Sequence, residues 1–227
     1  MGYPEASGEE SLVYDIVYVK RLESAVRQMI EPLRNVPFRL VIESLSGHKI
    51  VPFNRKDKKD QRLLDLLKET AKVATKNINK TGIRKRVNEV GNAVEPFVED
   101  ALNSLKAVAN KPKVRGKTKA AGYPDLEFLD LDGRLNYLEC KTFSEKTKAT
   151  TQRSFYLSPS EDFKVTQDAR HFVLSLEMSQ DGRNIHRCKG WKIVSLENLV
   201  VDVKHEFNSD NKRLYASELV LDQGVVS

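Results

Sequence analysis

The stretch from Tyr123 to Lys141, YPDLEFLDLDGRLNYLECK, limits the fold more than any other part of the chain. Two runs of alternating apolar and polar residues flank an Asp-Gly pair, the pattern of an antiparallel hairpin. Such a hairpin must lay its apolar side on a core, so an all-helical fold is excluded. Asp125, Glu127, Glu139 and Lys141 interrupt the apolar residues. Side chains alternate across a strand, so Glu139 and Lys141 share one face while Leu138 and Cys140 take the other. Asp125 and Glu127 share a face of the preceding strand. Whether the two polar faces coincide depends on the turn. A two-residue Asp132-Gly133 turn sets Asp125 against Cys140, on the wrong side. A three-residue connection, with Gly133 left-handed in a bulge, pairs Asp125 with Lys141 and Glu127 with Glu139. This second arrangement, or a bulge elsewhere with the same effect, is the expected one.

In that register two carboxylates converge, and like charges at such separations repel unless a proton or a cation lies between them. Hard oxygen donors with open positions suit Mg²⁺, which retains waters and accepts phosphate oxygens. Lys141 beside them can orient an attacking water and offset charge on a phosphorane-like transition state. Together these groups suit phosphodiester hydrolysis. A surface hairpin held by cross-strand ion pairs is the plain alternative.

Elsewhere, Val19–Leu33 and Asp60–Thr75 have helical spacing, and Phe38–Ile42 reads as a short strand. A long helical pattern runs from Arg84 to Val108, with a kink or fresh start expected near Glu95 because Pro96 follows. Lys111–Gly122 is a basic connector. Phe163–Ala169 reads as helix, and His171–Met178, Trp191–Leu196 and Leu199–Val203 as strands, with a turn between the first two. Residues 1–11 read as loosely attached. This order predicts an α/β fold, a central mixed β-sheet flanked by helices. The chain is expected to be one domain over 1–227, with 1–82 a helical, dimerising part and 83–227 the catalytic core.

No window offers the roughly 20 apolar residues of a membrane helix. The N-terminus lacks the basic and apolar regions of a secretory signal, so a cytoplasmic protein is expected. Two cysteines and four histidines at scattered positions offer no disulfide framework or zinc pattern. The formal net charge is +6, and its distribution is more telling. Basic clusters at Arg55–Lys59, Lys80–Arg86, Lys111–Lys119 and Lys141–Arg153 leave acidic Asp125 and Glu139 bracketed by cations, which favours a polyanionic partner.

Pro124-Asp125 followed, after a hairpin-sized gap, by Glu139-Cys140-Lys141 resembles the PD-(D/E)XK nuclease signature. GNAVEPFVEDAL, upstream, resembles the helix that brings a further acid in that superfamily, with Glu95 in the usual place and Glu99 one turn on. The later segments are similar to those of type II restriction endonucleases. The resemblance is good over about 90–205 and weak over the N-terminal third. It implies a restriction-endonuclease-like fold, with Asp125, Glu139 and the backbone carbonyl of Cys140 as Mg²⁺ ligands. Lys141 would position the nucleophilic water, and Glu95 would tune the site or help hold a second ion. Glu127 is additional to the pattern, either an outer acid or a partner for a lysine.

Lys146, Lys148, Thr150, Thr151, Gln152 and Arg153 form a candidate DNA-binding set. Arg and Gln can read guanine and adenine edges, while the lysines can neutralise phosphates. The expected function is sequence-specific cleavage of double-stranded DNA by a homodimer, with the helices at 19–33 and 60–75 supplying the interface. A structure-specific nuclease of the same fold, of the Holliday-junction or repair type, and a non-catalytic DNA-binding module are the alternatives.

Overall fold

A computed structural model of the chain describes residues 16–31, 33–86, 89–118, 122–144, 155, 157, 162–181, 184–203, 210–214, 216–219 and 221. In chain order its elements are α1 (Ile16–Ile30), β1 (Val36–Pro37), α2 (Phe38–Ser46), α3 (Lys58–Thr81), β2 (Ile83–Arg84), α4 (Val90–Ala93), α5 (Glu95–Ser104), β3 (Val108–Asn110), β4 (Lys113–Val114), β5 (Lys117–Thr118), β6 (Leu126–Leu129), β7 (Leu135–Phe143), β8 (Arg170–Asp181), β9 (Ile185–Ser195), β10 (Val200–Val201) and α6 (Asn211–Leu214). They fall into two compact units, Val36–Val201 and a smaller one formed by the residues before Val36 with those after Val201. In the smaller unit the Val203 N–H donates to the Leu33 carbonyl at 2.8 Å, and the Asn35 N–H to Asp202 Oδ1 at 2.9 Å.

The larger unit is built on a six-stranded sheet in the order β2-β9-β8-β7-β6-β3. Within it β7 and β8 run parallel and the other neighbours antiparallel. The sheet is mixed and flanked by helices, as expected of an α/β, restriction-endonuclease-like fold. One face buries Leu126, Phe128, Leu138, Cys140 and Leu174 against α3 and α5. On α3 the contacts come from Leu63, Leu67, Ala71, Ala74 and Ile78, a helical repeat of three and four. Each of the leucines and the isoleucine removed from water stabilises the fold by about 2 kcal/mol, and each alanine by less. The other face buries Tyr137 and Val173 beneath Phe38 and Ile42 of α2.

Local chemistry sets the limits of α3. Asp57 caps its start by accepting from the Asp60 N–H at 2.9 Å. Gly82 ends it at φ +68°, where a Cβ would lie 2.5 Å from the Ile185 side chain. Asp60, 0% exposed, accepts from the Asn54 N–H at 2.8 Å and sits 2.7 Å from Arg134 and 2.9 Å from Arg170. This buried network joins the start of α3 to the hairpin turn and to the first residue of β8.

Three local expectations are corrected. Phe38–Ile42 is the first half of helix α2 rather than a strand, because Phe38 and Ile42 repeat at helical spacing over the second core. The pattern from Arg84 to Val108 is divided between β2, α4, α5 and β3, and α5 does start afresh at Glu95, with Pro96 in its first turn. Phe163–Ala169 forms no helix. There Lys164 turns inward, and Ala169 bonds the backbone on both sides of Ile50, its N–H to Lys49 and its carbonyl to Val51. Residues 1–11 lie outside the described residues.

Candidate active site

The hairpin has the expected kind of turn, centred one residue earlier than expected. The Asp130 N–H donates to the Arg134 carbonyl at 3.0 Å and the Gly133 N–H to the Asp130 carbonyl at 2.9 Å, leaving three residues in the loop. Gly133 is left-handed, with φ +71°. The Asp130 carboxylate centres the turn by accepting from the Asp132 and Arg134 N–H groups and from Arg134 Nε. Leu126 therefore pairs with Leu138 and Glu127 with Tyr137, in place of Glu127 with Glu139. One step further, the same register sets Asp125 level with Glu139 rather than Lys141. The shift is two residues, so the polar faces still coincide.

At this end of the hairpin Asp125 Oδ2 accepts from the Cys140 N–H at 2.8 Å. Glu139 is 4% exposed, and its Oε1 lies 2.6 Å from Lys141 Nζ. Among the described residues, its buried Oε2 has no hydrogen-bond partner. The Cys140 side chain points the other way, into the core beneath α3 and α5, as alternation requires. Glu95 arrives as the first residue of α5, with Oε2 3.5 Å from Lys111 Nζ.

Burial, followed by the charge of Asp125, pushes the Glu139 carboxyl up to about 7 in spite of Lys141. Burial also raises Asp125, against the opposing Cys140 N–H and Lys141. Glu95 is raised by burial and then by Asp125, against Lys111. Asp125 raises the affinity of both Glu95 and Glu139 for protons, so the three acids form a site that a divalent cation would neutralise. The donors fit such an ion, since they are hard oxygens and one of them is buried and unpartnered. Among the described residues no three His, Cys, Asp or Glu side chains are grouped to hold a metal ion, so a backbone carbonyl and waters would have to complete the set.

Glu127 stands apart from this group. Burial raises its carboxyl and the charge of Lys113 opposes the rise. Lys146, Lys148, Thr150, Thr151, Gln152 and Arg153 lie outside the described residues.

Two residues of the site have no signal in the motif. Lys111 belongs to the basic connector, yet it reaches Glu95. Lys164, inside the segment expected to be helical, is buried, and its charge acts on both Asp125 and Glu95. Only the fold brings it to the site.

Comparison with known proteins places the chain in a family. The model of the type II restriction enzyme MjaV family matches residues 32–218. Type II restriction enzyme MjaV of Methanocaldococcus jannaschii is 37% identical over 223 residues, covering 91% of this chain and 96% of that protein. The chain belongs to the MjaV family of type II restriction enzymes. Asp125, Glu139 and Lys141 all lie within the matched segment, as does Glu95. Type II restriction enzymes generally use a divalent metal ion, which accords with half-buried Asp125 beside buried Glu139. The α5 helix, the turn at Tyr123 and the β6–β7 hairpin together build the candidate active site of this MjaV-family chain.

Proposed function

We propose that this type II restriction endonuclease uses Mg²⁺ to hydrolyse both strands of double-stranded DNA at a short specific sequence, acting as a homodimer. The observation that supports it most is Glu139. Its buried Oε2 lacks a partner while Oε1 holds the Lys141 ammonium, on a hairpin that belongs to a restriction-enzyme family. Asp125, Glu139 and the Cys140 carbonyl would hold the ion. When bound, it would supply a Lewis acid and lower the pKa of a nearby water.

The chain's own groups supply the rest. Lys141 orients the nucleophilic water and offsets charge building on the phosphate in the transition state. Glu95 keeps Lys111 beside the site and tunes the charge felt by Asp125. The strand pairing of β6 with β7 fixes the two acids before substrate arrives, so little reorganisation is needed at reaction.

Phosphates further along the duplex would be met by Arg84, Lys85 and Arg86. These exposed cations line a cleft of about 560 Å³ together with Glu89, Asn184 and Ile185. Helix α4 follows at once, and its Gly91 lies beside Thr142, the residue after Lys141. Lys146, Lys148, Thr150, Thr151, Gln152 and Arg153, carried by the segment after β7, are our candidates for contacting phosphates and reading bases.

For the homodimer, the two helices differ. The apolar side of α3 is consumed by the core, whereas Leu22, Val26 and Met29 of α1 are exposed, with Leu33 just beyond. We assign the dimer contact to α1.

Phage DNA incubated with purified protein and Mg²⁺, beside the Lys141→Ala variant, tests the activity. Discrete bands that the variant fails to produce are expected. A smear would show cleavage without sequence specificity, and intact DNA would refute the reading.

A further inference from the structure

Lys164 lies in the stretch joining β7 to β8 and is 2% exposed. Its Nζ donates to the Gly122 carbonyl at 2.6 Å and to the Pro124 carbonyl at 2.8 Å. Those carbonyls bracket Tyr123, and the second belongs to the peptide that leads into Asp125. Burying an ammonium costs several kcal/mol unless charge and hydrogen bonds compensate it. The carbonyls supply hydrogen bonds, and Asp125 and Glu95, on both of which Lys164 acts, supply opposite charge. A neutral side chain would fill the same space in a turn with no function, so the cation needs a reason.

The same turn is gripped from its other side. Tyr123 OH meets His171 Nδ1 at 2.6 Å, and the Tyr123 ring packs edge-on against Phe38, 5.4 Å between centroids. These two anchors hold the backbone on both sides of Pro124, and Asp125 Oδ2 accepts from the Cys140 N–H.

We propose that Lys164 is a positioning residue for the metal-binding carboxylate of Asp125: it clamps the Gly122–Pro124 backbone from below and keeps a fixed positive charge behind the ligand. It touches neither DNA nor the ion. This inference rests on the metal-dependent reading above and concerns how tightly the ion is held.

Calorimetric titration of Mn²⁺ into metal-free, DNA-free protein tests it, with metal-free melting temperatures measured alongside. Wild type should bind, and Lys164→Met should bind about tenfold more weakly, the usual cost of removing an outer partner of a metal ligand. Lys164→Arg, which keeps the charge and the donors, should recover most of the affinity. If the Met variant does not fold, Lys164→Gln, which keeps a donor without the charge, should show the same loss. Wild-type affinity in the Met or Gln variant overturns the proposal. So does an equal loss in the Arg variant that tracks a lowered melting temperature, since Lys164 would then be packing alone. A wild type that binds no Mn²⁺ is a different result, and it overturns the metal-dependent reading itself.

Discussion

Glu139 carries the clearest consequence at the scale of one residue. Its carboxyl is pushed up to about 7 from an ordinary 4.5, so the folded chain holds this proton more tightly than the unfolded chain does. The resulting contribution to stability is complete below about pH 4.5 and is lost as the pH rises through about 7. Metal-free protein should therefore melt at a lower temperature at pH 8 than at pH 5, and the decline should be shallower in Glu139→Gln. A divalent ion competes with the proton, so Mg²⁺ should raise the melting temperature more at pH 8 than at pH 6. Scanning calorimetry with and without Mg²⁺ measures both. Identical slopes in wild type and Glu139→Gln would show that another group holds the proton.

Among the elements, the hairpin depends on a network outside the site. Asp60→Ala leaves Arg134 and Arg170 beside an empty buried position, and removal of one partner from such a network costs about 3–5 kcal/mol. Urea denaturation should report a loss of that size, and a loss under about 1 kcal/mol, the scale of an exposed ion pair, would mean the two arginines find other partners. The hairpin itself was legible in the sequence because strand alternation and an Asp-Gly turn both act over a few residues. The centre of the turn was not, since it follows from Asp130 accepting three donors at once. Phe38–Ile42 misled for a related reason: five mostly apolar residues suit a strand or a helix equally, and packing over Tyr137 and Val173 decides. Lys164 could not be read at all. Its role depends on carbonyls 40 and 42 residues earlier in the chain, and no periodicity encodes such a pairing.

At the scale of the molecule, two expectations concern what the protein binds. Leu22→Asp with Val26→Asp should turn a dimer into a monomer in sedimentation equilibrium, and unchanged mass would move the interface away from α1. Arg84→Ala with Arg86→Ala should weaken DNA binding about equally for all sequences and lower the salt slope by about 2, one for each phosphate no longer neutralised. Weakening confined to the cognate sequence would make these arginines base readers instead. Among the described residues no helix is long and apolar enough to cross a membrane.

The parallel pairing of β7 with β8 has a consequence for how specificity could change in this family. Parallel neighbours cannot be joined by a tight turn, so β7, which ends just past Lys141, and β8, which begins at Arg170, need a long return path between them. That return path, residues 144–169, holds the whole candidate base-reading set in its sequence, and it begins within a few residues of Lys141. Its far end is tethered by Lys164 and by Ala169 against Ile50. If the proposed set reads bases, substitutions between the two ends should change which sequence is cut and leave Asp125, Glu139 and Lys141 in place, so that target choice and catalysis could be varied separately.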